Sequence, residues 1–202
     1  MLQKRWYRRR VRVALYGGSF NPPHLSHQLA CAVALATARP PVDAVWMVPT
    51  FEHSFGKQLE PFEDRHAMCV RAGRIFGERV KVSRIEETLG GSSYTVRTVE
   101  ALRAQHPEHE LTLLIGADLV DERRRWHRWA ELEPMVSFLV VGRHGTALAP
   151  LGPRDHEVPI DLPEVSSTEV RRRLVAGEST VGMLDDEVAR YIREHGLYGA
   201  RR

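Results

Sequence analysis

Short apolar runs and longer helix-forming segments alternate along most of this chain of 202 residues. The apolar runs end at glycine, proline or polar residues, which is typical of buried strands. They predict strands at residues 11–16, 42–48, 79–83, 111–115 and 135–141, with a short one near Val158. Helices are predicted over residues 24–38, 94–105, 167–176 and 185–195. Two more helices are predicted to end near Phe76 and near Leu132.

This alternation predicts an α/β fold. A strand, helix, strand order with short connections gives a mostly parallel, doubly wound, Rossmann-like sheet with helices on both faces. The last two helices predict a small helical part at the C-terminus. We expect a single domain over residues 11–199, preceded by a basic tail, residues 1–10, that is disordered.

Composition excludes several classes of protein. No run approaches the 18 apolar residues of a membrane helix, and no apolar segment follows the basic N-terminus as in a secretory signal. The two cysteines, Cys31 and Cys69, lie far apart, which argues against a disulfide framework and predicts a cytoplasmic protein. Six basic residues and no acid lie in residues 1–12, so the net charge of +3 comes from the tail, and a short arginine tail is typical of a solvated arm; nucleic-acid binding is not expected.

Three polar clusters fall at or near predicted strand ends: residues 17–27, 116–118 and 165–171. Ligands of such sheets bind beyond the carboxyl ends of the strands, where the winding direction reverses. The sequence therefore predicts the site at these clusters.

The first cluster reads GGSFNPPHLSH. Its glycines allow the backbone to approach a ligand, and His24 and His27 share one face of the first helical turn. A helix N-terminus carries free N–H groups that suit phosphate, and two imidazoles add donors. The alternative is an ordinary glycine-rich turn with two surface histidines.

The second cluster, VSSTEVR at residues 165–171, begins another helix. Ser166 and Glu169 have the spacing of a capping box, which by itself shows only that a helix starts. Thr168 and Arg171 add a hydroxyl and a guanidinium to that turn. Two such helix starts facing one cleft would clasp a triphosphate.

GGSFNPPHLSH closely resembles the first motif of the nicotinate-nucleotide adenylyltransferase family, and VSSTEVR resembles the ISSTxIR motif of its superfamily. The segments SSYTVRTVEAL, LLIGADLVDERRRWHRWAEL and DDEVARYIREHGLYG are similar to further family features, in the expected order. The resemblance spans residues 11–199. It implies adenylyl transfer from ATP to nicotinate mononucleotide, giving deamido-NAD and pyrophosphate.

The resemblance also implies roles for single residues. His24, His27 and Arg171 would be catalytic. The residues implied for ATP are Gly17, Gly18, Ser19, Phe20, Gly116, Asp118, Ser167 and Thr168. Those implied for the pyridine nucleotide are Asn21, Lys57, Tyr94, Thr95 and Trp126. Mg²⁺ is expected with ATP, held by phosphates and water, and no protein metal site or tightly bound organic cofactor is expected. A homo-oligomer is left open.

Several of these residues have structural alternatives. Trp126 could belong to the core, Lys57 to the surface, and Asp118 could cap its helix. Tyr94 could pack and Thr95 could cap. His106 and His109 are expected to be solvated.

The sequence departs from the family pattern at three places. Ser26 stands where glycine is usual, Asn21 where aspartate is frequent, and residues 49–59 differ from the usual lysine loop. The same motifs would also fit transfer to nicotinamide mononucleotide, phosphopantetheine or glycerol 3-phosphate. A nucleotide- or nucleic-acid-binding regulator without turnover is the alternative of another class.

Overall fold

The computed structural model describes residues 10–52, 56, 58–142 and 151–200. Its strands are β1 (Arg12–Gly18), β2 (Ala44–Pro49), β3 (Val80–Val82), β4 (Glu110–Gly116), β5 (Ser137–Gly142) and β6 (His156–Pro159). Its helices are α1 (Leu25–Thr37), α2 (Phe62–Gly73), α3 (Ile85–Leu89), α4 (Thr95–Gln105), α5 (Trp129–Leu132), α6 (Ser167–Ala176) and α7 (Asp186–His195).

The six strands form one sheet in the order β3-β2-β1-β4-β5-β6, and every neighbouring pair is parallel. The chain winds from β1 towards β3 and then returns to β4 on the other side of β1. The reversal therefore lies between β1 and β4, and the predicted doubly wound, Rossmann-like fold is confirmed.

Alternating side chains of the central strands fill two cores, one on each face. In β4, Leu113 and Ile115 face the cluster that includes α4, whereas Leu114 faces the cluster that includes α1. This alternation follows from the two-residue repeat of a strand. A third cluster packs α2 against α6 and α7, which confirms the small C-terminal helical part.

The predicted helix reaching Leu132 is wrong. Residues 117–119 and 123–125 form two short 3-10 turns, and only Trp129–Leu132 is α-helical. The backbone is extended at Trp126 and left-handed at Arg128, with φ of 52°. No glycine or proline marks these breaks.

Two smaller differences concern the first half of the chain. The helix predicted to reach Phe76 ends at Gly73 and continues as 3-10 turns to Arg79. The short helix Ile85–Leu89 was not predicted. Of the predicted tail, residues 1–9 lie outside the described residues, and Arg10 pairs with Glu110. No helix in the described ranges has the length and apolar character needed to cross a membrane.

Leu139 tests the packing of the central sheet. Its side chain is 1% exposed in the core that includes α1. We expect Leu139→Ala to lower the free energy of unfolding by about 2–5 kcal/mol, because it leaves a cavity. Val181→Ala, at a residue 89% exposed, should change it by no more than about 0.5 kcal/mol. Urea denaturation measures both, and equal small losses would contradict this packing.

Candidate active site

Two clefts open at the carboxyl ends of the strands, one on each side of the β1–β4 junction. Both are lined by Gly17, Gly18 and Ser19, here called the glycine loop. The first cleft, of about 830 Å³, lies towards β5 and the start of α6. The second, of about 430 Å³, lies towards α4. Such volumes are typical of small-molecule sites.

The first cleft brings together the three predicted polar clusters. His24, His27, Gly116 and Asp118 line it with the glycine loop, and residues 162–166 close its far side. The prediction that these clusters lie together at the winding reversal is therefore confirmed. A cleft bordered by the starts of α1 and α6, with exposed glycine backbone, is suited to a phosphate chain.

The two histidines are held as a pair at the start of α1. Their ring centroids are 3.8 Å apart. The backbone N–H of His24 donates to Nδ1 of His27 at 3.1 Å, so a neutral His27 carries its ring hydrogen on Nε2. Nδ1 of His24 is buried without a hydrogen-bond partner among the described residues. The pair thus offers polar ring nitrogens beside the cleft.

Both imidazoles are neutral in the ligand-free protein. Burial lowers the pKa of His24 to about 4. Burial, together with the neighbouring His24, lowers the pKa of His27 well below its usual value. They can therefore act near pH 7 as neutral hydrogen-bond donors, without the charge repulsion that two imidazolium ions would suffer.

The start of α6 binds the turn before α1. The Ser167 hydroxyl donates to the Pro22 carbonyl at 2.9 Å, and Nη1 of Arg171 donates to the Asn21 carbonyl at 2.7 Å. Nη2 of Arg171 donates to Oγ1 of Thr168 at 3.2 Å. None of these three predicted residues lines either cleft. In this state they fasten one helix start to the other.

The predicted capping box at α6 forms only in part. Oγ of Ser166 accepts from the backbone N–H of Glu169 at 3.2 Å. The Glu169 carboxylate pairs instead with Arg172 and Arg173. A guanidinium competes well for a carboxylate that would otherwise reach back to the cap.

Phe20 and Asn21 lie behind the first cleft. Phe20 is 1% exposed, and its ring packs against His27 at 4.9 Å between centroids. Its φ of 45° is unfavourable for a bulky side chain and is held by this burial. Oδ1 of Asn21 accepts from the Tyr198 hydroxyl at 2.8 Å and from the Glu60 backbone N–H at 3.2 Å. Both side chains therefore shape the turn and do not line a cleft.

Gly116 leaves room for the Asp118 side chain in its observed position. A Cβ on Gly116 would collide with the Asp118 carboxylate, which lies at the rim of the first cleft. Gly142 plays a similar part for the same turn, because a Cβ there would lie 2.9 Å from the backbone nitrogen of Ala117. The two glycines let the ends of β4 and β5 approach closely.

The second cleft contains Thr95 and Trp126 of the predicted pyridine-nucleotide residues. Trp126 also packs on the core, with its ring 6.4 Å from that of Phe138. Trp126 therefore lines the cleft and also packs on the core, and its role towards a pyridine ring stays a prediction. Tyr94 packs on His127 at 4.4 Å between ring centroids and does not line the cleft. Lys57 lies outside the described residues.

Comparison with known proteins decides the family. Residues 15–173 match the family described as cytidylyltransferase-like. A protein of Anaeromyxobacter sp. (strain K) named probable nicotinate-nucleotide adenylyltransferase is 44% identical over 92% of this chain and 96% of its own. One from Myxococcus xanthus with the same name is 41% identical over 95% and 97%. The chain belongs to the nicotinate-nucleotide adenylyltransferase family.

Solved structures agree on the fold. The Plasmodium falciparum nicotinic acid mononucleotide adenylyltransferase complexed with NaAD superposes with a TM-score of 0.80, at 18% identity, over 95% of this chain and 98% of that one. A putative nicotinate-nucleotide adenylyltransferase from Vibrio parahaemolyticus gives 0.69 at 20% identity, over 93% and 95%. At identities of 18% and 20%, this similarity shows that the proteins share a fold.

Ser26, the departure from the family's histidine motif, has a partner of its own. Its hydroxyl donates to the Pro163 carbonyl at 2.7 Å. It thereby ties the start of α1 to the segment that closes the first cleft. The sequence indicated only that Ser26 replaces the usual glycine, and it gave no sign of this contact.

Glu86 is a second residue that sequence analysis missed. It is 6% exposed, lines the second cleft and accepts a hydrogen bond from the Thr98 hydroxyl. A buried carboxylate needs such a donor. Its position in a polar stretch of sequence gave no sign of burial.

One cluster in the described ranges could hold a metal ion, and it lies away from the clefts. Ligand atoms of His106, Glu108 and His109 lie within 4.8 Å of one another before β4, at the amino ends of the strands. The expectation that His109 is solvated is wrong, since its side chain is 6% exposed. It packs beside Trp46, with ring centroids 5.9 Å apart.

The buried His24 predicts a pH-dependent stability. The unfolded chain takes up a proton near pH 6.5, whereas native His24 does so only near pH 4, so the free energy of unfolding should fall as pH drops between these values. From pH 7 to pH 5, the wild type should lose about 2 kcal/mol more than His24→Gln. Urea denaturation at both pH values measures this. An equal loss in the two proteins would contradict a neutral, buried imidazole.

Proposed function

We propose that this protein transfers the adenylyl group of ATP to nicotinate mononucleotide, forming deamido-NAD and releasing pyrophosphate. The observation that carries the proposal is the glycine loop, which forms a wall of both clefts. Two substrates bound on either side of one short backbone segment can bring their phosphates together. The family supports the identity of those substrates.

ATP is assigned to the first cleft. Exposed backbone of the glycine loop and the start of α1 face its phosphates, and the Asp118 carboxylate can accept from ribose hydroxyls at the rim. Mg²⁺ enters with ATP as part of the substrate, held mainly by phosphate oxygens. Arg171 donates a hydrogen bond to the Asn21 carbonyl, in the turn before α1. A rotation of its side chain would bring positive charge to the phosphates.

The mononucleotide is assigned to the second cleft. Trp126 offers an aromatic face to the pyridine ring, and Thr95 offers a hydroxyl and the N-terminal turn of α4 to its carboxylate. Tyr94 and Lys57, implied by the family resemblance, would complete this site in the bound state.

The chemistry requires no general base from the protein. The mononucleotide phosphate is ionised near neutral pH, since the second pKa of a phosphate monoester is about 6. Its oxygen forms a bond to the α-phosphorus of ATP as the bond to the bridging oxygen breaks, and pyrophosphate leaves with that electron pair. His27 donates from Nε2–H and His24 from its ring to oxygens on which charge develops.

The proposal is tested by pyrophosphate release with ATP and Mg²⁺, comparing nicotinate and nicotinamide mononucleotides. We expect kcat/KM to favour the acid by about 100-fold or more, which corresponds to about 2.7 kcal/mol. Comparable rates would mean dual specificity, and no release with either would contradict the assigned acceptor.

Removal of His27 tests transition-state stabilisation. His27→Ala should lower kcat by an amount equivalent to about 2–4 kcal/mol, as for loss of one oxyanion donor. His106→Ala, at the amino ends of the strands, is the matched control and should leave kcat unchanged. A fall of less than about threefold in His27→Ala would show that the imidazole has no such part.

Trp126 tests the assignment of the two clefts. Trp126→Ala should raise KM for the mononucleotide far more than KM for ATP, because only the second cleft loses a wall. Trp129 is the control: it packs on Phe138 at 5.6 Å between centroids and does not line that cleft. Trp129→Ala should lower stability without this selective change. Equal effects of Trp126→Ala on both KM values would indicate a purely structural tryptophan.

A further inference from the structure

Arg65 is the largest side chain buried at the carboxyl ends of the strands. It lies on α2 and is 1% exposed. In the described ranges, the titratable groups that act on its guanidinium are Cys69 and Tyr198, and neither is a carboxylate. A buried cation without an acid must be satisfied by other acceptors, because its desolvation is costly.

Those acceptors are three backbone carbonyls from two segments of the chain. Nη1 donates to the Ser19 carbonyl at 3.0 Å, Nε to that of Glu60 at 2.8 Å, and Nη2 to that of Phe51 at 3.3 Å. Ser19 belongs to the glycine loop, whereas Phe51 and Glu60 lie in the long connection between β2 and α2. One guanidinium therefore fastens the glycine loop to the connection that follows the neighbouring strand.

The same region is crosslinked around this guanidinium. The Thr50 backbone N–H donates to the Gly18 carbonyl at 2.9 Å, and the Glu60 N–H donates to Oδ1 of Asn21. The Arg65 guanidinium contacts both segments through three donors at once, since these donors form a rigid planar fork. A lysine ammonium, a point charge on a flexible stem, cannot span the three carbonyls.

We propose that Arg65 is a positioning residue, which sets the glycine loop between the two clefts so that the two phosphates meet in line. It touches no substrate and acts through the Ser19 and Phe51 backbone. The kinetic consequence rests on the proposed adenylyl transfer. The structural consequence, a fixed glycine loop in the ligand-free protein, does not.

The test compares Arg65→Met with two controls. Arg79 also donates to three backbone carbonyls, those of Leu35, Val42 and Asp43, but it is exposed and lies at the opposite ends of the strands. Arg79→Met therefore removes the same kind of contact away from the site. Leu139→Ala controls for general loss of stability, and all assays are run where circular dichroism shows each variant folded.

We expect Arg65→Met to lower kcat about 100-fold, because small misplacement of reacting groups is expensive. KM for each substrate should change much less, since Asp118 and Trp126 remain in their clefts. Arg65→Lys, which keeps the charge, should still lose about tenfold. Both controls should keep kcat within about threefold of the wild type.

Two kinetic results would overturn the proposal. One is a kcat within about threefold of the wild type in both Arg65 variants. The other is an equal fall in either control. Should Arg65→Met not fold, Arg65→Lys decides by the same comparison.

Hydrogen exchange separates this proposal from the proposed function. In the ligand-free protein, the amides of Thr50 and Glu60 should exchange about tenfold faster in Arg65→Met or Arg65→Lys than in Arg79→Met. Unchanged exchange would overturn the positioning role whatever the enzyme's substrate. A wild type inactive towards both mononucleotides would contradict the proposed function and leave the exchange result to decide on Arg65.

Discussion

The reversal of winding between β1 and β4 is the constraint on which the site depends. Helices pack on both faces of the sheet but leave the carboxyl end of this junction open, so the backbone after β1 borders two clefts at once. A residue with a bulky side chain there would fill one cleft or the other. Gly17 has open space where a Cβ would be, and this absence of a side chain leaves room for a ligand.

Among the described residues, no lysine or arginine side chain lines the first cleft, which is bordered by two imidazoles, two helix starts and the carboxylates of Asp118 and Glu164. Burial keeps His24 and His27 uncharged in the ligand-free protein. The Arg171 guanidinium donates to the Asn21 carbonyl and does not line this cleft.

Sequence patterns predicted the architecture because strand and helix periods are local properties. They also predicted which polar clusters meet, because the carboxyl ends of parallel strands share one edge. They did not predict the break at Trp126, where no glycine or proline interrupts a helical pattern. Nor did they show that the side chains of Ser167 and Arg171 would donate hydrogen bonds to backbone carbonyls 145 and 150 residues away in sequence. Such contacts depend on how elements dock.

Arg65 left a weaker trace in the sequence. Phe62, Arg65, Met68, Cys69 and Ala72 share the buried face of α2, so an arginine stands inside an apolar stripe. Because the chain is rich in arginine, the sequence alone suggests that Arg65 lies beside the apolar stripe and not within it. Its burial and the three carbonyls around its guanidinium distinguish it from a surface residue, and the sequence shows neither.

The central claim is a direct, in-line transfer between two clefts that share the glycine loop. The stereochemical course at the α-phosphorus tests it most directly, with ATP carrying sulfur at one stereochemically defined α-position. A single displacement predicts inversion of configuration in the dinucleotide product. Retention would contradict the account, since it requires two displacements and an adenylyl group carried in between by a side chain such as His24 or His27.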